Sequence, residues 1–147
     1  MEANQLLGLD VGAKHVGIAR ASSIAKIVQP LTSVKTAEIM QKLPELIKEL
    51  DVSMIAVGLP RNLSGDDTAQ TAWVRQWVDK AKDKLNVAFY WQDEALTSRK
   101  AADEIRKSKH EFRIPNSEFR GVDEHAMAAA IILQDFLDTP ETERVIC

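Results

Sequence analysis

LLGLDVGAKHVGIA, residues 6–19, consists of two apolar runs separated by a glycine-bracketed turn, with a single aspartate where the first run gives out. Runs of this length punctuated by Gly12 and Gly17 predict the two strands of a hairpin. Asp10 then follows Leu6, Leu7 and Leu9 at the end of the first strand. A carboxylate in such a setting is tolerated when it is paired or bound to a cation. Asp10 is therefore the first candidate functional residue, and a turn-starting aspartate that bonds its own backbone is the alternative.

Outward from this hairpin the chain alternates two periods. Residues 24–34 predict a third strand, which Pro30 assigns to a sheet edge because proline donates no ladder hydrogen bond. From Thr36, a candidate cap, the positions Ile39, Met40, Leu43, Leu46, Ile47 and Leu50 follow helical spacing around Pro44. Residues 54–58, MIAVG, lack alternation and predict a strand covered on both faces. Ala69, Trp73, Val74, Trp77, Val78 and Ala81 mark a second helix with the tryptophans in the core. Residues 87–91 predict the fifth strand, ending at Gln92, Asp93 and Glu94. A helix capped by Thr97, an aperiodic loop over residues 107–120, and a final helix from about Asp123 to Leu137 complete the domain. The expected fold class is α/β: a mixed five-stranded sheet, its first three strands antiparallel and the next two parallel to the first, with flanking helices. Residues 1–138 are read as one domain and residues 139–147 as a polar, frayed tail.

Composition narrows the function classes. The 147 residues are 45% hydrophobic, as one domain with a single sizeable core requires. No apolar run is long enough to span a bilayer and no secretory signal is recognised, so a soluble cytoplasmic protein with no membrane partner is expected. The lone Cys147 excludes an internal disulfide or a cysteine zinc cluster. The net charge of −3 hides an uneven distribution. Residues 99–120 hold seven basic and four acidic residues, whereas residues 123–147 hold six acidic residues against Arg144. A basic stretch beside an acidic one suits a phosphate backbone approaching a carboxylate site.

In an open α/β sheet, ligands collect beyond the carboxyl ends of the parallel strands. Asp10 ends the first strand, Asp93 and Glu94 end the last, and Asp123 and Glu124 open the final helix. Such carboxylates repel one another unless they share cations, and hard oxygen donors favour Mg2+ or Mn2+. Two such ions activate water and stabilise the leaving oxygen at a phosphodiester. Of the three histidines, His15 lies in the hairpin, His110 in the basic loop, and His125 near the proposed cluster.

GLDVGAKHVGIA, Pro30-Leu31, VGLPRNLSG (residues 57–65), DEALTS (93–98) and AAAIILQDFL (128–137), in this order, resemble the YqgF-type Holliday junction resolvase-like family, also described as pre-16S rRNA nucleases. The resemblance implies a ribonuclease-H-like fold and metal-dependent endonuclease activity using Mg2+ or Mn2+. It matches Asp10 and Glu94 to the family's first two acidic positions, and with Asp123 these are the expected catalytic and metal-binding residues; Lys14, Arg99, Lys107, Lys109 and Arg113, by their local positive charge, and Arg61 and Asn62 are the candidates for nucleic-acid contact. Aligning the last helix puts His125 at the family's usual aspartate position, so Asp123 serves only with a two-residue shift of the helix start. Ala95 stands where the family has an arginine after the acidic pair. The implied substrate is ribosomal RNA precursor ahead of branched DNA, with the small ribosomal subunit as a partner and a monomer or homodimer as the working form. Two alternatives are a noncatalytic RNA-binding protein on the same scaffold and an actin-like ATPase, the latter disfavoured because that fold needs two such domains.

Overall fold

Alternation along residues 5–11 sends Leu7, Leu9 and Val11 to one side and Leu6, Gly8 and Asp10 to the other, so a central strand here needs cover on both faces. The computed structural model describes residues 4–62, 64–94 and 124–147 and shows that arrangement. Strand β1 (Gln5–Val11) pairs antiparallel with β2 (His15–Ser22), which pairs antiparallel with β3 (Val28–Lys35). On its other side β1 pairs parallel with β4 (Val52–Pro60), and β4 pairs parallel with β5 (Ala88–Glu94). Among the described residues the sheet order is β3-β2-β1-β4-β5-β6, where β6 (Val145–Ile146) runs antiparallel to β5.

The sheet thus has six strands where five are expected, and the sixth comes from the segment read as a frayed tail. Cys147 N donates to the Phe89 carbonyl at 2.9 Å, continuing the pairing of Tyr90 with Ile146 and Trp91 with Val145. Two apolar residues are too short a run to signal a strand, but they suffice to close part of an otherwise open sheet edge. Pro30 lies in β3 at the opposite edge, as its missing donor requires.

Helices α1 (Ile39–Leu50) and α2 (Ala69–Lys84) cover one face of the sheet, and α3 (Glu124–Asp138) covers the other. The first face is filled by large side chains, with Leu7, Leu9, Val16, Ile18, Ile55 and Val57 against Ile39, Leu43, Val74 and Val78. Ala19, Ala21 and Ala56 line the second, against Ala129, Ala130, Leu133 and Phe136. Helix α3 is apolar almost all round and buries Ala126, Met127, Ile131 and Ile132 as well, the pattern of a helix enclosed by the fold.

Three local expectations change. Thr36 does not cap α1, which starts at Ile39; its hydroxyl donates to the Gly12 carbonyl at 2.7 Å and ties β3 to the β1–β2 turn. Gly17 lies inside β2 rather than at the turn, and Trp73 is 37% exposed rather than core. The helix capped by Thr97, the loop over residues 107–120 and the helix start at Asp123 lie outside the described residues. No helix among the described residues is long and apolar enough to cross a membrane.

Candidate active site

Asp10 is the last inward-facing residue of β1 on the α3 side, half-buried and opposite Gly17 in the β1–β2 register. Glu94 is the last residue of β5, opposite Pro60, and faces the same side by alternation with Tyr90, which packs against Phe136. β4 lies between these strands, so two strand spacings, about 10 Å, separate the backbones. Gly58 narrows that gap. A Cβ at Gly58 would meet Glu94 Oε2 at 3.0 Å and Ile132 Cδ1 at 2.5 Å, so the Glu94 carboxylate leans over β4 toward β1. Asp10 falls beside Gly58, one ladder step beyond the Leu9–Val57 pair.

Glu94 is 7% exposed, and Thr71 is the other polar residue buried to this degree among the described residues. Thr71 has a plain structural role: its hydroxyl donates to the Pro60 carbonyl and completes a capping box with Thr68 at the start of α2. A charge as enclosed as that of Glu94 is tolerable where a cation or hydrogen bonds compensate it.

The first turn of α3 closes the site from above. A Cβ on Gly17 would lie 1.9 Å from the His125 carbonyl oxygen, so only glycine lets the helix approach β2 at the level of Asp10. The His125 ring stacks on His15 with centroids 5.2 Å apart and planes at 22°. His125, set near the cluster by sequence, is thus joined there by His15, which the sequence placed only in the hairpin. Glu124 opens the described part of the helix, and Asp123 lies outside the described residues.

The donor chemistry fits a hard divalent cation, since Asp10 and Glu94 present carboxylate oxygens on one face with two imidazoles at its margin. No group of three or more metal-ligating side chains occurs among the described residues. Lys14 is exposed in the β1–β2 turn, while Arg99, Lys107, Lys109 and Arg113 lie outside the described residues.

Asp93 faces the other way. Its Oδ1 is 3.4 Å from Arg61 Nη1, Arg61 Nε is 3.2 Å from Asp67 Oδ1, and Asp67 Oδ2 is 3.2 Å from Arg75 Nε. The Arg75 guanidinium lies 5.5 Å from the centre of the Trp91 ring. Asn62 Oδ1 accepts from the amides of Ser64 and Asp66 at 3.1 and 2.9 Å, so it organises its own loop. Sequence reasoning missed this network, although period-two alternation already sends Asp93 and Glu94 to opposite faces.

Similarity to known proteins is consistent along the chain. The family model described as "RuvX: Holliday junction resolvase" matches residues 4–139. A protein of Roseiflexus sp. (strain RS-1) named "Putative pre-16S rRNA nuclease" is 30% identical over 142 residues, covering 94% of this chain and 96% of its own. One of the same name from Gloeothece citriformis (strain PCC 7424) is 33% identical over 143 residues, covering 95% and 91%. The solved structure "T. thermophilus RuvC in complex with Holliday junction substrate" superposes with a TM-score of 0.62 at 16% identity, covering 98% of this chain and 99% of that one. A second, "Thermus thermophilus RuvC structure", gives a TM-score of 0.55. The fold is therefore the ribonuclease-H-like fold of RuvC, with a six-stranded mixed sheet, and the chain belongs to the RuvX family of Holliday junction resolvase-type proteins.

Proposed function

We propose that this chain is a metal-dependent endonuclease that hydrolyses phosphodiester bonds in the precursor of 16S ribosomal RNA, in the cytoplasm, as a monomer or homodimer. The observation that carries the reading is the placement of Asp10 and Glu94 on one face at the carboxyl ends of parallel strands, with Gly58 making room between them. Asp10, Glu94 and Asp123 hold Mg2+ or Mn2+, and Glu124 and His125 are the alternative third ligands. When bound, the metal supplies an activated water and charge stabilisation at the scissile phosphate.

The chain's own residues supply position. Burial restricts the Glu94 carboxylate, and the first turn of α3 packs over Gly17 at the level of Asp10. Lys14, at the turn that follows Asp10, holds the phosphate backbone together with Arg99, Lys107, Lys109 and Arg113, without reading sequence. Arg61 and Asn62, already committed to internal partners, contribute less to that surface. The family description favours a second reading, cleavage of branched DNA, which needs a symmetric dimer to cut two strands. A noncatalytic RNA-binding role is the third.

One experiment separates these readings. Labelled ribosomal RNA precursor, a four-way DNA junction and a single strand are incubated with wild type and Asp10→Asn in Mg2+, Mn2+ or EDTA. Wild type is expected to cut the RNA only with metal, and the variant to lose cleavage by several orders of magnitude while staying folded. Mn2+ at a hundredfold excess over Kd should stabilise the wild type by about 2.7 kcal/mol and Asp10→Asn far less. Junction cleavage in place of RNA cleavage moves the assignment to DNA. Binding of RNA without cutting, and no melting shift with either metal, removes the nuclease reading.

A further inference from the structure

Glu94 and Asp93 are adjacent on β5 yet serve opposite faces, and the surroundings of Asp93 are the more elaborate. Asp93, Arg61, Asp67 and Arg75 form a continuous chain of alternating charges with links of 3.4, 3.2 and 3.2 Å. Backbone contacts reinforce it, since Arg61 and Asp67 form an isolated antiparallel bridge and the Thr71 hydroxyl donates to the Pro60 carbonyl. The chain therefore joins the end of β5 to the segment after β4 and to the start of α2. Leu59, Arg61, Arg75, Trp91, Asp93 and Val145 enclose a recess of about 240 Å³ around it.

Magnitude decides what this network is for. The Asp93 side chain is 65% exposed and that of Arg61 31%, and ion pairs this wet contribute little to folding. Direction is a different matter. Glu94 is the terminal residue of β5, where a strand end is least constrained by its ladder, and its carboxylate must lean over Gly58 to approach Asp10. Along a strand, rotating residue 93 about the chain axis rotates residue 94 the opposite way across the sheet. Anchoring Asp93 on one face therefore fixes the aim of Glu94 on the other.

We propose that Asp93 and Arg61 are positioning residues for Glu94, and that the Asp93–Arg61–Asp67–Arg75 chain is an orienting strap on the back of the metal site. The inference rests on the metal-dependent reading of Asp10 and Glu94. Outer partners that orient metal ligands typically change metal affinity tenfold or more when removed. Asp93→Asn and Arg61→Met should each raise the Mn2+ Kd by about tenfold, with little change in metal-free melting. The double variant should be no weaker than the weaker single one, because both break the same strap. Arg61→Lys should recover most of the affinity, and cleavage lost at low Mn2+ should return at high Mn2+. Lys82→Met, whose partner is Asp79 on the same helix and which lies outside the strap, is the control and should leave Kd within about twofold.

Mn2+ affinity is read directly by calorimetric titration, beside the melting temperature of each metal-free variant. A wild-type Kd in Asp93→Asn, or additive losses in the double variant, overturns the strap while leaving the metal site standing. Absence of Mn2+ binding by the wild type overturns the metal-site reading and the strap with it.

Discussion

The two faces of the sheet handle volume in opposite ways. On the α1–α2 face, branched side chains from both layers interdigitate, and the helices stand off at the distance that leucine, isoleucine and valine set. On the α3 face the sheet offers Gly8, Gly17, Ala19, Ala56 and Gly58, and the helix answers with Ala126, Ala129 and Ala130. Backbone there comes nearly onto backbone. The thick face can repack through rotamers, whereas at Gly8 and Gly17 the thin face sets α3 against the sheet with little side chain between them, and it is the thin face that carries Asp10 and Glu94. Close approach of α3 brings its first turn to the level of Asp10, so the packing that makes this face brittle also sets the helix start beside the site.

The harshest test of that difference adds one carbon to the thin face. Gly17→Ala places a Cβ 1.9 Å from the His125 carbonyl oxygen and 2.9 Å from the Ala126 nitrogen, both backbone atoms. Relief requires moving the start of α3, so the cost should exceed the roughly 3 kcal/mol usual for an overpacked core. Chemical denaturation measures it. A loss below about 1 kcal/mol would mean that α3 docks loosely and that the thin face is no different from the thick one.

Gly58→Ala should cost less and teach more. Its closest obstacle, Ile132 Cδ1 at 2.5 Å, is the far end of a flexible side chain, so a stability loss of about 1–3 kcal/mol is expected. Its second obstacle is the Glu94 carboxylate, with Oε2 at 3.0 Å and Cδ at 3.2 Å. The added methyl must push that group away from Asp10, so Mn2+ should stabilise the variant less than the wild type. An unchanged Mn2+ shift would show that Glu94 does not need the space over β4.

These positions also mark where sequence reasoning stops. The place of Asp10 near the end of β1 was legible because the apolar run gives out there, and the sheet's parallel centre followed from residues 54–58. The role of Gly17 was not. Its contact with His125 spans 108 positions, and nothing local distinguishes a glycine that admits a helix from one that makes a turn. Thr36 misled for a related reason: a hydroxyl near a helix start reads as a cap, and only the fold brings the Gly12 carbonyl to it. The opposed aims of Asp93 and Glu94 were implicit in strand alternation, but the guanidinium that holds Asp93 arrives from Arg61, just after β4, and could not be foreseen. Asp123, proposed as the third carboxylate, lies outside the described residues, so its place beside Asp10 stays with the proposal.

The smallest expected effect lies at the rim of the thick face, where Cys147 packs against the α1–α2 core beyond β6. Burial pushes its thiol from an ordinary 9.0 up to about 12, with the charge of Lys82 offsetting part of the rise. The folded state therefore favours the neutral thiol. The stabilisation is fully present below pH 9.0 and is lost as pH climbs toward about 12. Reactivity reports the same shift at neutral pH. A rise of this size lowers the thiolate fraction at pH 8 by about a thousandfold, and the greater nucleophilicity of a more basic thiolate returns a factor of about thirty. Iodoacetamide should thus alkylate Cys147 roughly thirtyfold more slowly in the native protein than in urea. Equal rates would mean that the last residues leave the sheet in solution, that β6 does not hold the β5 edge, and that the apolar cover of the thick face ends at Trp91.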